Sequence, residues 1–143
     1  MIDLLLDEIK DSDIQINKDV NDWKEAIREA ALPLVASKKI TNKYVDAMIR
    51  VVEEKGPYIV ITKHIALAHA RPELGVLEKG LSFTTLKNPV PFGSQQFDPV
   101  KLIITLAATD SESHLDLLSE LADVLSDGEI TERLFAANNQ EEF

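Results

Sequence analysis

At 143 residues with no cysteine, the chain has the length of one domain and excludes a disulfide scaffold, a thiolate metal site and a cysteine nucleophile. Its 45% hydrophobic and 28% charged residues are those of a soluble globular protein, large enough to bury a core without staples. A formal net charge of −10 repels phosphate backbones and anionic surfaces, so nucleic acid is not expected as a partner, and any phosphate the protein handles needs a local device to offset the repulsion.

The first ten residues, MIDLLLDEIK, bracket a short apolar patch with acids and carry no basic leader. The first long element is expected to be a helix from about Asp19, with Asp19 as cap and Asp22 adding charge to the first turn. Trp23, Ile27, Ala30 and Ala31 share one face, and Pro33 should kink or end the helix. Thr41 caps a second helix with Tyr44, Val45, Met48, Ile49 and Val52 on its apolar side, stopped by Gly56-Pro57. The period then changes. Tyr58 to Thr62 reads as a strand and Leu81 to Leu86 as another. Asn88-Pro89-Val90-Pro91 forces a turn or an edge, because neither proline can donate a ladder bond. The apolar run from Val100 to Ala108 has the pattern of a strand covered on both faces, and it is far shorter than the roughly 18 residues of a membrane span. Asp110 or Ser111 caps a third helix with His114, Leu118, Leu121 and Leu125 on its inner stripe. After Asp127-Gly128 a last helix runs from about Glu129 to Ala137, and the polar tail NNQEEF is expected to fray. No repeat, low-complexity tract or linker interrupts the chain, so residues 1–143 are expected to form one domain, a mixed α/β sandwich. With no leader and no spanning stretch, the expected compartment is the cytoplasm.

The segment between the first two expected strands, Thr62-Lys63-His64-Ile65-Ala66-Leu67-Ala68-His69-Ala70-Arg71-Pro72-Glu73, holds two histidines and an arginine directly after a strand. Loops at strand ends are where rigid scaffolds present reactive groups. His69 is the best nucleophile in the chain, because a neutral imidazole near pH 7 has a lone pair able to attack phosphorus. Arg71, two residues on, offers a planar fork for phosphate oxygens. His114, at the start of its helix, could donate to a phosphate or orient His69, with the N–H groups of that helix end favouring an anion. The bland alternatives stay open at this level. His69 could be a half-buried loop histidine making one hydrogen bond, and His114 could cap its helix or pack on Leu118. His64 reads as a surface residue at the loop mouth. A metal site from His64, His69 and His114 is weakly supported, since Glu73 is the one carboxylate nearby. Lys63 and Arg50 read as solvated charges, Phe83, Phe92 and Phe97 as core or rim packing, and Ser94 to Gln96 as a polar loop. No glycine-rich nucleotide loop is present, so a phosphoryl carrier would need a phosphorylated protein as donor.

Taken together, these strings resemble a family. Trp23 and its helix, Tyr44-Val45-Asp46-Ala47-Met48, Gly56-Pro57-Tyr58, Ile65 to Glu73 and His114-Leu115 are similar to the enzyme IIA domains of the mannitol/fructose class in the bacterial phosphoenolpyruvate-dependent sugar phosphotransferase system. The similarity runs through most of the chain, and His-Ala-Arg-Pro-Glu looks most like the L-ascorbate-type branch. The resemblance implies a mixed β-sheet sandwiched between helices, with no cofactor and no metal. It implies that His69 accepts a phosphoryl group from HPr and passes it to a cysteine of enzyme IIB, with His114 supporting the group. The membrane enzyme IIC is then an indirect partner, the sugar is L-ascorbate or a related compound, and a homodimer stays open. Two departures stand out. The family usually has proline where Ala68 stands, which is expected to loosen the local backbone. The ascorbate branch often has a small neutral pair where Lys63-His64 stand. Arg50 is near an arginine of the mannitol branch but out of register, so that role is not carried over. Two other readings remain: a regulatory module in which phosphate on His69, roughly −2 of charge, switches partners, and a plain binding domain.

Overall fold

A computed structural model describes residues 14–56, 59–62, 64–70, 75–78, 80–95 and 97–107. In chain order these form β1 (Ile14–Lys18), α1 (Trp23–Ala36), α2 (Asn42–Lys55), β2 (Val60–Thr62), β3 (Ile65–Ala68), β4 (Gly80–Val90) and β5 (Val100–Ala107). The helices expected after Ala108, the tail and the first ten residues lie outside the described residues.

α1 begins four residues later than expected. Asp22, not Asp19, is the cap: its backbone is extended and its side chain accepts from the Glu25 N–H at 2.8 Å. Pro33 lies inside the helix, which continues to Ala36. Proline has no N–H, so the Glu29 carbonyl four residues back loses its helical donor. Gln15 of β1 supplies the replacement, donating from Nε2 to that carbonyl at 2.7 Å. α2 matches its sequence reading: Thr41 accepts from the Tyr44 N–H, the buried side is Tyr44, Val45, Met48, Ile49 and Val52, and Gly56 follows the last turn at φ 87°.

The sheet runs β1-β4-β5-β3-β2. β1 is parallel to β4, β4 antiparallel to β5, β5 parallel to β3, and β3 antiparallel to β2. This is the mixed sheet with helices that the sequence implied. Two strands were not foreseen. Ile65-Ala66-Leu67-Ala68 has the small, unbranched content of a helix or loop, and the alternation in β1 lasts five residues. β4 also overran its expected end: it passes through Asn88-Pro89, and its register with β5 breaks between Thr85 and Val90, where proline cannot donate.

α1 and α2 pack on one face of the sheet. On the face of β3 and β5 turned toward them lie Ala66, Ala68, Ile103 and Thr105, all fully buried. Ser82 and Thr105 hydroxyls both donate to the Ala30 carbonyl, at 2.8 and 3.3 Å, which docks α1 closely. Leu67, Leu102, Ile104 and Leu106 alternate with these residues and are also buried, so the sheet is buried on both faces. Trp23 and Phe92 close one rim with ring centroids 6.2 Å apart.

Candidate functional site

His69 is the first residue beyond β3. Because β3 and β5 are parallel, with Ala68 opposite Thr105, their C-terminal ends lie at the same edge of the sheet. The start of β4 joins them there, with Gly80 opposite Ala107. His69 is half-buried at that edge. Its Nδ1 lies 2.9 Å from the Leu67 carbonyl of its own strand. A carbonyl oxygen only accepts, so Nδ1 carries the proton and donates. In the neutral ring the lone pair then sits on Nε2, and the ring is held against the strand it leaves.

The backbone after His69 is tied to the first turn of α2. The Ala70 N–H donates to the Tyr44 hydroxyl at 3.0 Å. The one proton of that hydroxyl has two carbonyls in reach, Leu106 at 3.0 Å and Ala70 at 3.2 Å. Tyr44 is 1% exposed, and burial pushes its pKa up to about 12, against the lowering effect of the Ala70 N–H. Gly75 returns to the same turn: the Thr41 N–H donates to the Gly75 carbonyl at 3.0 Å. A Cβ at Gly75 would lie 2.4 Å from Thr41 Oγ1 and 2.9 Å from Tyr44 Cβ, and φ there is +141°, so glycine is required. Both flanks of the segment bearing Arg71 are therefore anchored on one helix turn.

His64 lies at the other end of β3, in the turn from β2, and is half-buried there. The sequence reading placed it at the mouth of the His69 loop. The intervening strand separates the two histidines by roughly 15 Å of extended chain, so they cannot share one metal ion. His64 adopts φ 69°, and its Nδ1 donates to the Pro99 carbonyl at 2.7 Å. Its backbone N–H donates to Phe97, and its carbonyl accepts from Lys101 and Leu102. The Ser94 region is part of the same structure: Ser94 Oγ accepts from the Phe97 N–H, and Asp98 accepts from Phe92 and Gly93. Arg50 is exposed on the outer side of α2.

Lys63, Arg71, Glu73 and His114 lie outside the described residues. Ala68 departs from its expected effect. It is fully buried and paired with Thr105, so the backbone before His69 is a strand and not a loosened loop. Tyr44 was counted as apolar packing, and its part in the site was missed. The signal was present: a tyrosine on a buried helix face must find a partner for its hydroxyl.

The chain matches the family model described as phosphoenolpyruvate-dependent sugar phosphotransferase system, EIIA 2, over residues 8–143. It is 33% identical over 138 residues to the mannitol-specific cryptic phosphotransferase enzyme IIA component of Escherichia coli (strain K12), covering 96% of this chain and 93% of that protein. It is 35% identical over 130 residues to the ascorbate-specific PTS system EIIA component of the same strain, covering 90% and 84%. Among solved structures, the complex of enzyme IIAMTL and phosphorylated enzyme IIBMTL from Escherichia coli aligns with a TM-score of 0.83 at 27% identity, over 94% of this chain and 92% of that one. The nitrogen regulatory protein IIA-Ntr from Neisseria meningitidis aligns with a TM-score of 0.79 at 25% identity, over 97% and 95%.

Proposed function

Because the chain belongs to the EIIA 2 family of the phosphoenolpyruvate-dependent sugar phosphotransferase system, we propose that His69 is the residue on which it carries phosphate. The observation that carries this reading is the Nδ1–H bond to Leu67, which turns the Nε2 lone pair away from the strand. Attack is in-line: the Nε2–P bond forms as the P–N bond of phosphorylated HPr breaks, and the departing imidazole recovers a proton. The bond at Nδ1 survives phosphorylation, so the ring keeps its orientation for the second transfer. There the phosphoryl group passes to a cysteine thiolate of enzyme IIB, and the membrane enzyme IIC uses it on the sugar.

Arg71 and His114 complete the proposed site. Arg71 lies between the two anchored positions Ala70 and Gly75, where its guanidinium offsets phosphate charge within a body of net charge −10. His114 follows the end of β5 by seven residues, and β5 ends beside β3. The sugar is L-ascorbate or a related compound, as for one of the two relatives above. The reading makes the protein a single cytoplasmic domain; among the described residues no helix is long and apolar enough to cross a membrane.

The test is reconstitution with phosphoenolpyruvate, enzyme I and HPr. One acid-labile phosphate per chain is expected, lost in His69→Gln and weakened in His114→Ala. Labelling that persists without His69 sinks the assignment. Likeness to a nitrogen regulatory IIA protein favours a second reading, in which phosphate on His69 switches partner binding. Onward transfer to ascorbate-type or mannitol-type enzyme IIB separates the two, since a purely regulatory protein labels neither.

A further inference from the structure

The parallel ladder between β3 and β5 has a phase that can be followed residue by residue. The Leu102 N–H donates to the His64 carbonyl, and the register runs unbroken from Ile65–Leu102 to Ala68–Thr105. Alternation along a parallel pair then assigns the next rung beyond Ala68 to the Ala70 N–H and the Leu106 carbonyl. That rung is not made directly. The Tyr44 hydroxyl stands in its place, accepting from Ala70 at 3.0 Å and within donor reach of Leu106 at 3.0 Å. Two bonds in series occupy a gap that one bond of about 2.9 Å would close. The strands are thus wedged apart at the edge from which His69 and the chain leading to His114 depart.

We propose that Tyr44 is a positioning residue for phosphoryl transfer: its hydroxyl holds β3 and β5 at a fixed opening and so sets where the His69 ring stands relative to the chain leaving β5. The proposal rests on the reading of His69 as the phosphoryl acceptor. Three features make the wedge rigid. The ring belongs to the buried side of α2, together with Val45, Met48, Ile49 and Val52. At 1% exposure, water does not compete for its hydroxyl. Gly75 packs on the Tyr44 backbone, so the segment after Ala70 is held by the same helix turn at its far end. Without the hydroxyl, Ala70 and Leu106 either pair directly, closing the gap, or stay unsatisfied and mobile, and either outcome moves His69.

Tyr44→Phe keeps the ring and removes the wedge. Two measurements are needed on folded protein, with melting curves defining the usable temperature and sucrose extending it. The first is kinetic: with phosphorylated HPr as donor, kcat should fall on the order of tenfold to a hundredfold, the scale of an ångström of misplacement, while KM changes by less than about threefold. The second is spectroscopic and needs no phosphate: the 15N resonances of the His69 imidazole should leave the Nδ1–H tautomer pattern of the parent protein. Replacing Tyr44 by 4-aminophenylalanine, whose amine also donates and accepts, should recover most of both. A folded Tyr44→Phe protein with unchanged kcat and unchanged imidazole resonances overturns the proposal, as does a loss confined to KM. If the parent protein takes no phosphate on His69, the functional reading fails, while the imidazole spectra still decide whether Tyr44 positions the ring.

Discussion

Each end of β3 carries a histidine whose Nδ1 donates to a backbone carbonyl, and the two bonds have almost the same length: 2.7 Å for His64 and 2.9 Å for His69. Their reach differs. His64 bonds across 35 residues to Pro99, and its backbone N–H and carbonyl tie the β2–β3 turn to Phe97, Lys101 and Leu102. That end of the strand is closed by its own hydrogen bonds. His69 bonds to a carbonyl two residues back, which orients the ring and joins nothing distant. The backbone beyond it is held by the Tyr44 hydroxyl in place of a ladder rung. A bond that connects distant segments braces them, whereas the bond from His69 to its own strand sets the orientation of its ring.

The largest effect expected from this contrast separates the two histidines by function. His69→Gln should abolish phosphate labelling, because it removes the imidazole that carries the phosphoryl group. His64→Gln should keep labelling within about twofold and lower stability by about 1 kcal/mol, the worth of one such bond, or roughly 2–4 °C in Tm. Labelling loss in His64→Gln together with an unchanged melt would break the comparison.

The next two expectations concern how firmly the His69 end is held. Gly75→Ala forces a Cβ against Thr41 Oγ1 and Tyr44 at a φ of +141°, so a loss of about 2–4 kcal/mol is expected from overpacking and strain together. Urea unfolding measures it; a cost below that range would mean the return to α2 gives way easily. Alkaline pH tests Tyr44 itself. Its folded pKa, about 12, is raised above the ordinary 10.0, so the folded state retains a proton that the unfolded state releases first. The associated stability, of the order of 2–3 kcal/mol, is fully present below pH 10 and is lost as pH rises through 12. Unfolding curves across that window should fall less steeply for Tyr44→Phe than for the parent chain. Equal slopes would show that the phenol is not buried as described.

Much of the fold was legible because its signals are local. Thr41, the five-residue apolar stripe of α2 and Gly56 each follow from spacing and capping. β5 was visible as a continuous apolar run. What could not be read depended on partners far along the chain. Pro33 argues for a helix end until Gln15, from a strand that itself went unseen, is available to satisfy Glu29. β3 is four residues of alanine, leucine and isoleucine, and only its pairing with Thr105 and its neighbours makes it a strand. The site was legible as chemistry, in that His69 stood out as a nucleophile near an arginine. Its supports were not, because a tyrosine hydroxyl filling a missing rung and a glycine pressed on a helix turn leave no spacing pattern.

The smallest expected effect concerns Ala68, where the family usually has proline. The ladder phase that assigns Ala70 to the missing rung also turns the Ala68 N–H toward β5, opposite Thr105. Proline at this position removes that donor. With Tyr44 already occupying the Ala70 rung, β3 would then lack the last two rungs that it donates to β5, while the Ala68 carbonyl between them can still accept. Loss of the bond costs about 1 kcal/mol, and the stiffer unfolded chain returns about 0.4–1 kcal/mol. Ala68→Pro should therefore melt within a few degrees of the parent. If the Tyr44 wedge governs the opening, the phosphoryl-transfer rate should shift by no more than about twofold, under half a kcal/mol of barrier. A much larger rate change at unchanged stability would move control of the opening from the hydroxyl of Tyr44 to the strand pairing before it. Ala68→Pro combined with Tyr44→Phe decides between these: additive losses place the two devices in separate roles, and a combined loss no greater than that of Tyr44→Phe alone means both act through the same rung gap.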